Sequence, residues 1–212
     1  MEKYKKKIKN IVIKNLKWII VFVSLVSFCM IVEDVIDEDI MSTDSKGYAF
    51  IVDHLMSDRV TPVAKIITNF GGVYWLIGFT IFLLVFIKNK RIGVSIAFNL
   101  VLAALINFAL KCILQRPRPV EYRIIDEKGY SLPSGHSMVS VAFYGYIIYL
   151  VYKYVENKYA KWSIITLLCL LTALIGISRV YLGVHYTSDV LAGGLIAFAY
   201  LITYINFIKE AI

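Results

Sequence analysis

Three short polar stretches interrupt an otherwise apolar chain of 212 residues. The first holds Lys111 and, after six intervening residues, Arg118-Pro119. The second is Pro133-Ser134-Gly135-His136. The third runs from Ser178-Arg179 through His185 to Asp189. Each lies at the end of an apolar run, where charged and titratable groups are costly to place without a task. Their types suit a phosphoryl group, whose transition state spreads charge over three equatorial oxygens with nucleophile and leaving group roughly in line. Lys111, Arg118 and Arg179 can form a cationic clamp, the two arginines as planar forks. Ser134 adds a hydroxyl. Gly135 lets its backbone N–H approach an anion with no Cβ in the way. A helix starting after Pro133 would add free N–H groups. His185 and Asp189 are four residues apart, so a helix beginning near His185 would turn both to one side. The carboxylate could then fix the imidazole tautomer and leave the other ring nitrogen as a nucleophile. His136 suits the acid that protonates the departing oxygen.

The elements that must hold these residues read as membrane helices. The chain is 59% hydrophobic with mean hydropathy +0.70, against roughly 45–50% apolar residues in a soluble domain. The net charge of +8 falls in short segments between apolar runs, with no basic stripe of the kind that binds nucleic acid. Six segments reach the length of a spanning helix, near 15–33, 71–88, 92–113, 135–153, 161–178 and 188–208. The expected fold is all-α: one domain over 1–212, with a six-transmembrane-helix core at about 15–208. Lysines before the first span resemble a signal peptide, but no small-x-small cleavage site follows, so the span is expected to remain.

Orientation follows from the basic residues. The side with the amino terminus, the 88–91 and 153–161 connections and Lys209 carries fourteen of the 23 lysines and arginines. That side is expected to be cytoplasmic, with both termini inside. The protein is then a multi-pass plasma-membrane protein with all three polar stretches on the extracytoplasmic face. The first outer loop opens with Glu33, Asp34, Asp37, Glu38 and Asp39. It continues with Phe50, Ile51, His54 and Leu55, then Val63, Ile66, Ile67 and Phe70, at helical spacing. Thr61-Pro62 reads as an N-cap followed by a first-turn proline. One or two amphipathic interfacial helices are expected there.

Other residues carry less. Cys29, Cys112 and Cys169 lie in or beside apolar runs without a CxxC pair, and read as membrane-embedded thiols. His54 stands outside the three stretches. Arg116 and Arg123 flank Arg118 and suit either a diphosphate or a solvated loop. Asn107, one turn before Lys111, either orients it or packs in the bundle. Tyr181 and Tyr186 either line an entrance or anchor at the interface. Gly193 and Ala197 form a small-xxx-small pair suited to close helix packing. No Walker loop, Cys-x5-Arg loop or metal-ligand spacing occurs, so neither metal nor cofactor is expected.

The combination Lys111–Arg118-Pro119, Ser134-Gly135-His136 and Arg179–His185–Asp189 resembles the type 2 phosphatidic acid phosphatase family, the membrane branch of a superfamily that includes vanadium haloperoxidases. All three family stretches occur in order with no key residue replaced. The resemblance implies a metal-independent six-helix enzyme working through a phosphohistidine. His185 would be the nucleophile, Asp189 its orienting partner and His136 the acid. Lys111, Arg118, Ser134, Gly135 and Arg179 would bind the phosphoryl group. The implied partner is a lipid phosphate in the bilayer: undecaprenyl diphosphate, phosphatidylglycerophosphate or phosphatidate. A lipid phosphotransferase using the same residues and a non-catalytic lipid-binding protein are the alternatives.

Overall fold

The computed structural model describes residues 2–38, 40–120 and 122–212, with side chains from Asn15 onward. Among the described residues there are eight helices and no strands. They are α1 (Glu2–Glu38), α2 (Ser42–His54), α3 (Val60–Asn69), α4 (Val73–Phe86), α5 (Lys90–Leu114), α6 (Gly135–Tyr154), α7 (Lys158–Tyr181) and α8 (Thr187–Ile208). By length and apolarity α1 from Asn15, α5, α7 and α8 can each cross a membrane. α3 and α4 together make a fifth candidate, bent by 50°. The chain turns between them at Gly71, where a Cβ would lie 2.7 Å from Ile175 Cγ2 and 2.8 Å from Ser140 Oγ. Any larger residue would force Ile175 or Ser140 to shift.

α6 is less apolar than these, with His136, Ser137, Ser140 and five tyrosines. Its position explains the difference. It runs through the middle of the bundle, packed by α5, α7 and α8, so its polar groups meet protein rather than lipid. The Tyr144 hydroxyl donates to Phe70 O at 2.6 Å and accepts from Trp75 Nε1 at 3.0 Å. The Tyr146 hydroxyl and Ser95 Oγ bond at 2.8 Å. Leu76, Ile96, Phe143 and Ile175 fill the space around them. The apolar side of the bundle faces outward: Phe22, Phe86, Phe108 and Phe207 are at least 67% exposed. Cys29, Cys112 and Cys169 are free and lie on this outer surface rather than in the core.

Several boundaries differ from the sequence expectation. The first span is part of one long helix, and the fifth runs a turn further, taking Arg179 into α7. α8 begins at Thr187, so His185 precedes it. α2 and α3 fill the first long connection. Arg59, not Thr61, is the N-cap of α3. The Thr61 hydroxyl instead donates to Ser57 O at 3.0 Å and meets the Tyr181 hydroxyl at 2.8 Å, and that tie sets where the helix begins. Ile51 and Ala64 turn inward onto Val180, Tyr181, Leu182 and Val184. α2 and α3 thereby cover the end of α7. Asp39 of the acidic run lies outside the described residues.

Candidate active site

Four pieces of chain meet beneath that cover: the end of α5, the described residues of the irregular connection (115–120 and 122–134), the start of α6, and the turn from α7 into α8. The last turn is tight. Gly183 has φ +68°, and a Cβ there would lie 2.1 Å from Tyr122 O. Ile124 N–H donates to Leu182 O at 3.0 Å, pinning the segment to the turn. The Asp189 carboxylate accepts from Tyr186 N–H at 2.9 Å at the start of α8. The spacing of four therefore brings His185 and Asp189 together through a helix cap, not through two residues of one helix. Their Nδ1···Oδ2 distance is 3.3 Å.

His185 is 3% exposed and Asp189 fully buried. Burial, reinforced by the cations of Arg118 and Arg179, pushes the imidazole pKa down to about 4 even though Asp189 opposes the shift. The ring is therefore neutral at pH 7. Its partners indicate the tautomer: Nδ1–H faces the carboxylate, and the Nε2 lone pair accepts from Arg118 Nη1 at 3.0 Å. Ser131 Oγ lies 3.2 Å from Nδ1 and donates to Asp189 Oδ2.

The three expected cations gather around the pair: Arg118 and Arg179 lie close enough to act on His185, and Lys111 close enough to act on Asp189. Arg118 also donates to Val184 O and Gly129 O, each at 2.9 Å, and to Lys128 O at 3.2 Å. Lys111 Nζ donates to Tyr130 O and, at 3.2 Å, to Ser131 O. Arg179, 1% exposed, donates to Thr68 Oγ1 at 2.8 Å and to Glu127 Oε2 at 2.7 Å. Burial pushes the Glu127 pKa up, but Arg179 outweighs it and holds the carboxyl below its ordinary range. His136 lies close enough to Arg179, Glu127 and His185 to interact electrostatically. Ser134 is the N-cap of α6, its Oγ accepting from Ser137 N–H at 3.4 Å and from Ser137 Oγ at 3.0 Å. A Cβ on Gly135 would lie 3.0 Å from Asn107 Oδ1 and 3.9 Å from Lys111 Cε. All eight residues expected from the sequence thus fall in one neighbourhood.

Four further residues belong to it. Ser131 and Glu127 carried no signal, since each acts across more than 50 residues. Arg116 is no solvated loop residue. It is 4% exposed and donates to Asp189 Oδ1 and Asp44 Oδ2, each at 2.8 Å, and to Ser188 Oγ at 2.7 Å. The Tyr186 ring covers its guanidinium at 4.0 Å. Asp44 of α2 also accepts from Ser188 N–H at 2.8 Å. The other candidates lie elsewhere. Asn107 donates to Pro133 O at 3.3 Å, so it packs the turn. Arg123 bonds Pro119 O from an exposed position. Tyr181 is buried against Ser57 and Thr61. His54 stacks on Phe50 in the last turn of α2. Gly193 packs α8 onto α6, where a Cβ would lie 2.9 Å from Ser134 O. A cavity of about 640 Å³ opens beside His185, walled by Tyr48, Val52, Met56, Val120 and Tyr122.

Fold and site together define an all-helical membrane protein with a buried, cation-ringed histidine. A profile described as the PAP2 superfamily matches residues 92–212. The chain belongs to that family, as the resemblance in its three polar stretches implied. It is 40% identical over 99 residues to "Phosphatidylglycerophosphatase B" of Bacillus subtilis, covering 44% of this chain and 48% of the relative. It is 29% identical over 136 residues to "Undecaprenyl-diphosphatase" of Sulfolobus acidocaldarius, covering 61% and 62%. The chain thus spans about half to three-fifths of the length of these relatives. A solved structure, the first transmembrane PAP2 type phosphatidylglycerolphosphate phosphatase from Bacillus subtilis, superposes with a TM-score of 0.81 at 24% identity, covering 90% of this chain and 96% of the other.

Proposed function

We propose that this chain is a lipid phosphate phosphatase working without metal through a phosphohistidine. The observation that carries the reading is His185: a neutral imidazole with a carboxylate at Nδ1, an arginine at Nε2 and a second arginine, Arg179, close enough to act on it. In the first step Arg118 Nη1 moves from Nε2 to a phosphoryl oxygen. His185 Nε2 forms the P–N bond as the P–O bond to the lipid breaks. The leaving oxygen takes its electron pair and a proton from His136. Asp189 stabilises the charge that develops on the ring. Arg118, Arg179, Lys111, the Ser134 hydroxyl and the Gly135 N–H hold the equatorial oxygens. Water, deprotonated by His136, then attacks phosphorus as the P–N bond breaks and returns its electron pair to His185 Nε2, releasing orthophosphate.

The substrate class follows from surroundings. The outer surface is apolar, and the cavity beside His185 is mostly apolar and aromatic with Asp44, Asp53 and Thr187 also in its wall, which suits an amphiphile such as undecaprenyl diphosphate, phosphatidylglycerophosphate or phosphatidate. In this reading α6 is the fourth span in chain order and brings the number to six, while α2 and α3 lie at the interface. Both termini are cytoplasmic and the site opens to the extracytoplasmic side of the plasma membrane.

The test is phosphate release by purified protein from these three lipids and from a water-soluble monoester, with and without EDTA. Release from lipid that survives EDTA and vanishes in His185→Ala is expected. Full turnover by His185→Ala would sink the mechanism, and preference for the soluble ester would sink the lipid assignment.

A further inference from the structure

We infer that Glu127 sets the affinity of this site for the phosphoryl group: its carboxylate holds Arg179 in the empty protein, and an incoming phosphoryl group takes its place. The inference rests on the phosphatase reading. The segment from Glu127 to Ser131 supplies acceptors to all three cations of the clamp. Those for Lys111 and Arg118 are backbone carbonyls, which can stay where they are when a ligand arrives. Among the described residues only Arg179 of the three is matched by an anion, and that anion has the charge of a phosphoryl edge.

The two partners differ in freedom. Arg179 is held by Thr68 and its side chain is 1% exposed, whereas that of Glu127 is 29% exposed. Glu127 therefore moves and Arg179 stays. The Glu127 side chain can turn into the solvent it already partly faces while the Lys128 and Gly129 carbonyls stay on Arg118. Glu127 also leaves Arg179 half used. It bonds Nη2 at 2.7 Å, while Nε is buried without a partner. A phosphoryl group with three oxygens can take Nη2 and Nε together, which one carboxylate oxygen does not.

A buried arginine without an anion is strongly unfavourable, so something must occupy Arg179 between turnovers. Glu127 fills that need at the expense of phosphate affinity. If it holds Arg179 in roughly nine-tenths of empty molecules, it weakens phosphate binding about tenfold, because only the open fraction binds. The same competition speeds orthophosphate release after the phosphohistidine is hydrolysed.

The experiment is calorimetric titration of the detergent-solubilised full chain with orthophosphate, comparing wild type with Glu127→Gln and Glu127→Ala. It needs no turnover, so it is separable from the phosphatase test. Both variants should bind orthophosphate about tenfold more tightly, and the KM for lipid should fall with it while orthophosphate becomes the stronger inhibitor. Unchanged or weaker phosphate binding in both variants would overturn the inference. So would no detectable binding in any of the three proteins. A fall in kcat with unchanged phosphate affinity would assign Glu127 to positioning Arg179 or His136 instead, and would equally overturn it.

Discussion

Arg116 holds two carboxylates where there is almost no water. Its guanidinium joins Asp44 to Asp189, and Asp189 in turn fixes His185. Removing one partner of a buried pair costs about 3–5 kcal/mol, because the remaining charge is stranded. Asp44→Asn is therefore expected to lower the unfolding temperature in detergent and to reduce kcat more than KM. Arg116→Lys should not rescue, since a single ammonium cannot reproduce the planar fork. Thermal unfolding and steady-state kinetics check both. The depressed pKa of His185 gives a second expectation. Its imidazole should stay neutral as pH falls through 6.5, the ordinary value, and take up a proton only near 4. ¹⁵N NMR of labelled His185 would show this directly, and a titration midpoint at 6.5 would contradict the burial argument. The eight residues of the three polar stretches were legible because their types are costly at a membrane edge. Asp44, Ser131 and Glu127 were not. A single acid or serine in a loop has no distinguishing pattern until the fold brings it against a partner 50 or more positions away.

The helices were legible as apolar runs, but the way they position His185 was not. A spacing of four suggests one helical face, yet the histidine sits in a turn and the aspartate caps the following helix. Nothing in the spacing distinguishes the two arrangements. Gly183 is what makes the turn possible. Gly183→Ala would pay about 1–2 kcal/mol for the left-handed backbone, and its methyl would collide with Tyr122 O. Activity is expected to fall at least tenfold with a lower unfolding temperature, whereas Gly129→Ala, at φ +77° in open space, should cost only the backbone term. α2 offers another test. Ala49 lines the cavity beside His185, so Ala49→Trp should raise KM for a lipid and leave KM for a soluble monoester unchanged. Equal effects on both substrates would separate the cavity from lipid binding. The α2 and α3 helices themselves were anticipated from their periodicity. Their hold on the end of α7 was not, because it depends on contacts such as Tyr181 with Ser57 and Thr61.

At the scale of the whole molecule the arrangement is inside-out: polar and aromatic groups around α6, and phenylalanines around the circumference. If the proposed topology holds, a cysteine placed at Asp126 in a chain lacking its three native cysteines should react with an impermeant reagent from outside, and one at Asn157 should not. The reverse pattern would move the site to the cytoplasmic face. The site draws on α5, α6, α7 and α8 together with the turns between them, so no water-soluble fragment would retain it. Any assay of this protein is then an assay of a particle, a micelle or a bilayer patch wrapped around the apolar belt. On the proposed function, a lipid substrate reaches His185 by diffusing within that particle, and the concentration that matters is a surface density. Turnover should follow the mole fraction of substrate in the detergent. Adding substrate-free micelles at constant total lipid should slow the reaction as dilution in two dimensions.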